Sequence, residues 1–332
     1  MKKIYFLALA MLCVCCMNGI SQTKKIPVIF DSDTNNEMDD QHALAYLIMN
    51  GNTFDLKGIT VNATFNGGKI DEHFKEADRI VKLCNVVGIP LLKGANSNFE
   101  TIAPTLGRAD FDGNEGVNFI IKQAKAIKGG KLVVLAVGKL TNVALAVKKD
   151  PSIVKKIRLV WLGSNYPDKG EYNLENDIAS MNYLLDTKIE FEIVTVRYGK
   201  PSGTAAVIGY RKDILQKMPG KGPVVKEAVM GRHGKKFTCF GDYSVNLFEE
   251  CDNYTTPPGR PLFDMAAVAV VKNPSWAEVK TIPAPIMVDK KWVERPNNKR
   301  TVKIFENFAI NAIMDDFYRT MDNYKLVEVK KR

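Results

Sequence analysis

Five short runs rich in β-branched and apolar residues set the architecture: IPVIF (26–30), LKGITV (56–61), KLVVLAV (131–137), KIRLVWLG (156–163) and FEIVTV (191–196). Each leads through a polar or glycine-containing loop into a helix-like stretch, such as DQHALAYLIM (40–49), IDEHFKEADRIVKLC (70–84), VNFIIKQAKAI (117–127), LTNVALAVKKD (140–150) or IASMNYLLDT (178–187). Near-continuous apolar strands alternating with helices imply βαβ units, hence an α/β fold with an open, mostly parallel central sheet and helices on both faces. Ligands of such sheets bind at the carboxyl ends of the strands. Beyond about residue 200 the pattern loosens: GRHGKKFTCFGDYS and CDNYTTPPGRP read as loops, LFDMAAVAVVKNP as a helix stopped by Asn273 and Pro274, and IFENFAINAIMDDFYRTM as a helix.

The first run passes directly into DSDTNNEMDDQH, which places Asp31, Asp33, Glu37, Asp39 and Asp40 within ten residues. So many carboxylates together cost free energy unless a cation or protons neutralise them. Oxygen ligands without adjacent Cys select a hard ion, calcium or magnesium, over zinc. A helix-loop-helix calcium loop fails at Asn36, where glycine is required, and at His42, where the closing glutamate belongs. A phosphotransferase with Asp31 as nucleophile and Asp33 as acid follows a strand in the same way, but Asn35 and the later double acid depart from that pattern. A solvated acidic loop at a helix N-terminus accounts for one or two of these acids, not four.

Three further segments, in order, give the cluster its meaning: VLAVGKLTNVALAVKKDPSIVKKIRLVWLG, GEYNLENDIASMNYLL and PPGRPLFDMAAVAVVKNP. With DSDTNNEMDDQHALAYL they resemble the nucleoside hydrolase family over about residues 26 to 275, apart from two extra residues between the aspartate pairs and Lys139 in place of a proline. The resemblance implies calcium-dependent hydrolysis of the N-glycosidic bond of ribonucleosides to ribose and free base, by a homodimer or homotetramer. Carried over residue by residue, it makes Asp33 a calcium ligand and general base, with Asp40, the Thr141 carbonyl and Asp264 as the other ligands. Asp39, Glu171 and Asn173 would hold ribose hydroxyls, joined by Asn62 or Asn66, between which the alignment slips. Asp31 would orient the loop from behind.

The departures fall on the base side. Phe263 and Asp112 stand where the family often carries an imidazole that assists the leaving group; Asp112, His233 and Tyr243 are the candidates for that role. Two other readings stay open: a ribose or nucleoside-binding protein that keeps the metal site without efficient turnover, or a hydrolase of another N-riboside. Trp161 is expected in the core.

The first 22 residues, MKKIYFLALAMLCVCCMNGISQ, have the basic start, short apolar run and small polar exit of an export signal. The expected product is one catalytic domain from residue 23 to 332 in the periplasm, soluble rather than lipid-anchored. No later run is long enough to span a membrane. Cys84, Cys239 and Cys251 then remain, an odd number expected as free thiols. The net charge of +10 is carried by scattered lysines without interleaved aromatics, which argues for a solvated surface and against nucleic-acid binding.

Overall fold

Alternate residues of the first apolar run, Val28 and Phe30 against Ile29, pack into two separate cores, so this strand is buried on both faces. The computed structural model describes residues 24–329; the export segment expected at residues 1–22 lies outside them. In chain order come β1 (Ile26–Ser32), α1 (Asp39–Ile48), β2 (Phe54–Val61), α2 (Ile70–Leu83), β3 (Leu91–Lys93), the short α3 (Phe99–Ile102), α4 (Asn114–Ala126), β4 (Leu132–Ala136), α5 (Thr141–Lys149), β5 (Ile157–Leu162), the short α6 (Tyr172–Asn176), α7 (Ile178–Asp186) and β6 (Glu190–Val194). Strands Glu278–Pro283 and Thr301–Glu306 complete an eight-stranded sheet with Glu278–Pro283 at one edge, followed by Thr301–Glu306, β6, β5, β4, β1, β2 and β3. The edge strand Glu278–Pro283 is antiparallel to its neighbour and the other pairings are parallel.

The chain moves outward from β1 through β2 to β3, then returns to place β4 on the other side of β1. This reversal opens a crevice beyond the carboxyl ends of β1 and β4. α1 begins at its rim and is buried along all ten residues. It packs against the helix Phe263–Lys272, whose run AAVAVV keeps side chains small where the two approach.

Two late segments differ from the sequence reading. Thr301–Glu306, read in part as helix, is a strand because its buried positions pair with β6; the helix starts at Ile310. Residues 240–250, read in part as loop, form a helix, in which Gly241 is needed because a Cβ there would lie 2.1 Å from the Met218 carbonyl oxygen. Trp161 is core, as expected, with Nε1 donating to the Gly138 carbonyl at 3.0 Å. The three remaining cysteines are unpaired. Among the described residues no helix is long and apolar enough to cross a membrane.

Candidate active site

β1 ends on Asp31 and Ser32, and the chain then turns so that Asp33 follows the strand while Asp39 and Asp40 open α1. Asp31 is spent on structure: its carboxylate accepts from Thr60, from Asn62 Nδ2 at 2.8 Å and from Asn142 Nδ2 at 2.7 Å, tying β1 to β2 and α5. The expected orienting role fits this arrangement. Asp33 Oδ2 accepts from the Thr64 hydroxyl at 2.6 Å, and Asp40 Oδ1 from the Ser32 hydroxyl at 2.6 Å. Helix Phe263–Lys272 brings Asp264 to the same place in its first turn.

Asp39, Asp40 and Asp264 each offer a carboxylate oxygen within 4.8 Å of the others, all buried. Burial, then mutual repulsion, pushes every carboxyl here upward: Asp33 to about 7, Asp39 to about 7, and Asp40 and Asp264 well above the ordinary carboxylate range. Asp33 is felt by both Asp40 and Asp264, so it adjoins the trio. Acids this close and this dry call for a positive charge among them.

They open onto a cavity of about 130 Å³ lined also by Asn36, Glu37, Asn66, Val137, Glu171, Asn173 and Tyr198. The lining comes from the segments that follow β1, β2, β4, β5 and β6, which is where a parallel sheet places its ligands. Glu171, at φ 138°, accepts backbone N–H groups from Ser164, Asn173 and Leu174, so its carboxylate is fixed on the wall. Asn173 spends its amide N–H groups on the Val137 and Leu162 carbonyls, which leaves Oδ1 as its remaining polar atom. Asn66 lines the cavity. Asn62 sits deeper, and its buried Oδ1 has no partner; a Cβ on Gly138 would lie 2.9 Å from that atom and 2.9 Å from Asp33 Oδ1. Gly138 is thus the residue that lets the loop after β4 run against Asp33.

Thr141, Asp112, His233 and Tyr243 do not line this cavity. Thr141 starts α5 and gives its hydroxyl to Asp177; the residue that the same segment presents to the cavity is Val137. Asp112 accepts the Asn96 and Ser97 N–H groups at 2.9 and 2.7 Å, a loop-closing role. Tyr243 is buried and donates to Glu76 at 2.6 Å. His233 lines a neighbouring cavity instead. His42, buried on α1, bridges the Met38 carbonyl and the Ser244 hydroxyl, and burial lowers its pKa to about 4.

Sequence reasoning missed Val137, Thr64 and Tyr198. Position after a strand was the available signal for Val137 and Tyr198, the latter packed edge-on against Phe263 with ring centroids 5.8 Å apart. The two extra residues do reach the cavity, through Asn36 and Glu37.

The sequence profile described as inosine-uridine preferring nucleoside hydrolase matches residues 28–315. A probable uridine nucleosidase of Arabidopsis thaliana is 28% identical over 174 residues, 47% of this chain and 52% of that protein, so the chain spans about half the length of this curated relative. A plant nucleoside hydrolase structure matches with a TM-score of 0.70 at 16% identity, covering 90% of this chain and 99% of the other. A purine-preferring ribonucleoside hydrolase from Gardnerella vaginalis matches at 0.68 and 19% identity, covering 89% and 98%. These structural likenesses speak for the fold, and the profile, which spans most of the sequence, shows that the chain belongs to the inosine-uridine preferring nucleoside hydrolase family.

Proposed function

We propose that the protein is a calcium-dependent hydrolase that splits ribonucleosides into ribose and free base, acting outside the cytoplasm after export. The observation that carries this reading is the buried meeting of Asp39, Asp40 and Asp264 beside Asp33, at the floor of a cavity with sugar-sized polar walls. An all-oxygen donor set of this charge fits a hard divalent cation. Asp33, Asp40 and Asp264 would hold it, with the Val137 carbonyl in the place first given to Thr141, and Asp39 would stand on the ribose side. When bound, calcium acidifies a water and anchors the sugar diol.

This chain's residues perform the remaining steps. Asp33 takes the proton from the attacking water, Thr64 keeping its carboxylate turned toward the cavity. Asn173, Asn66 and Glu171 orient the sugar from the opposite wall. As the C1′–N bond lengthens, the surrounding carboxylates stabilise the positive charge that grows on the ribose ring.

The test is release of reducing sugar from inosine, uridine and p-nitrophenyl riboside, with calcium and after chelation. Turnover that needs calcium is the expected result; absence of turnover on all three, or turnover indifferent to chelation, would sink the proposal.

A further inference from the structure

Among the described residues, no lysine, arginine or histidine lines the central cavity. No cationic side chain of that lining therefore stands ready to offset negative charge on a departing base. Beside it lies a second cavity of about 240 Å³, which shares Asn36 and Glu37 with the first and adds Arg232, His233, Cys251 and Arg260. The first alone falls short of the ~300 Å³ usual for small-molecule sites, whereas the two together reach it.

Arg260 is the built feature of this second space. Its side chain is nine-tenths buried, and its guanidinium pairs with the Glu37 carboxylate, donates from Nη1 to the Asp252 carbonyl at 3.0 Å and lies 4.4 Å from the centre of the Tyr254 ring. Nε is buried with no partner among the described residues. Burying an arginine N–H without an acceptor is costly unless a ligand supplies one. The residue sits in the strand Gly259–Pro261, just before the helix that carries Asp264, so it is fixed relative to the acids, and its charge reaches Asp39.

We propose that the second cavity receives the departing base and that Arg260, steered by Glu37, donates hydrogen bonds to the anion that develops on it. The inference rests on the N-riboside hydrolase reading. The C1′–N bond breaks with its electron pair moving to the base nitrogen, while the water oxygen bonds C1′ after losing a proton to Asp33. Arginine keeps its proton near neutrality, so Arg260 stabilises the base anion as a cation without protonating it; the proton on Asp33 returns through solvent to the base. Arg260 thereby fills the place left where Phe263 stands instead of an imidazole.

The experiment compares wild type, Arg260→Gln and Arg260→Lys on inosine, uridine and p-nitrophenyl riboside at saturating calcium, with thermal melts and calcium affinity measured alongside. Removing one preorganised donor lowers kcat by ~10²-fold. That loss is expected for Arg260→Gln on the two nucleosides, with no more than about a threefold loss on p-nitrophenyl riboside, whose leaving group is already stable as an anion. Arg260→Lys, which keeps the charge and loses the fork, should fall between, and it serves if the Gln variant does not fold. Equal losses on all substrates, or none on any, would overturn the proposal while leaving the hydrolase reading intact. A wild type that cleaves none of the three defeats the hydrolase reading instead, and this inference with it.

Discussion

Single residues divide here into those that hold the site and those that face the substrate. Asp33 and Asp31 are two positions apart, yet one opens to the cavity and the other is fully committed to Thr60, Asn62 and Asn142. Asp33→Asn should therefore lower kcat by ~10²–10⁴-fold, the range for loss of a general base, with the fold retained by circular dichroism; a variant that keeps wild-type kcat would remove Asp33 from the chemistry. Gly138→Ala puts a methyl group 2.9 Å from both Asp33 Oδ1 and Asn62 Oδ1. A displacement of about 1 Å at a reacting group costs ~10²-fold, so kcat should fall to that extent while the melting temperature moves little. The roles of Asp33, Asp40 and Asp264 were suggested by their pattern along the chain. The roles proposed for Val137 and Arg260 were not, because a backbone carbonyl carries no side-chain signature and Arg260 meets the distant Glu37 only in the fold.

At the scale of elements, the order of strands and helices from β1 to β6 was legible, since buried parallel strands write themselves as apolar runs. The last two strands of the sheet were not, as Glu278–Pro283 is an edge with four exposed residues and no clean apolar run. Joints between elements were also silent. Asp177 caps α7 by accepting from Ser180 N–H at 3.1 Å, receives the Phe99 N–H at 2.9 Å and takes the Thr141 hydroxyl, so three helices meet on one carboxylate. Asp177→Ala removes a cap and strands buried donors, which together destabilise by about 2–3 kcal/mol. Denaturant unfolding should show that loss, and kcat should change less than in Asp33→Asn; an unaltered midpoint would contradict the role.

For the molecule as a whole, the acids that serve the site work against the metal-free fold. Carboxyls whose folded pKa is raised bind protons more tightly when folded, so their contribution to stability is present below about pH 4 and is lost as pH rises through about 7, the value that burial gives Asp33 and Asp39. In chelator, the melting temperature should therefore be higher at pH 5.5 than at pH 8. At a given calcium concentration the ion should raise it more at pH 8, where the carboxyls are ionised; a hundredfold excess over the dissociation constant corresponds to about 2.7 kcal/mol of stabilisation. Melting curves that rise with pH in chelator would contradict the charge arrangement described.

The meeting of Asp40 with Asp264 joins the first helix of the chain to one more than two hundred residues later. Contacts of such sequence separation carry the larger loop-closure cost, so the acids are expected to meet near the end of folding rather than at its start. An interaction absent from the transition state slows unfolding without hastening folding. Calcium should thus act as a latch on a finished molecule: in stopped-flow measurements the unfolding arm shifts to slower rates with added ion, and the refolding arm stays where it was.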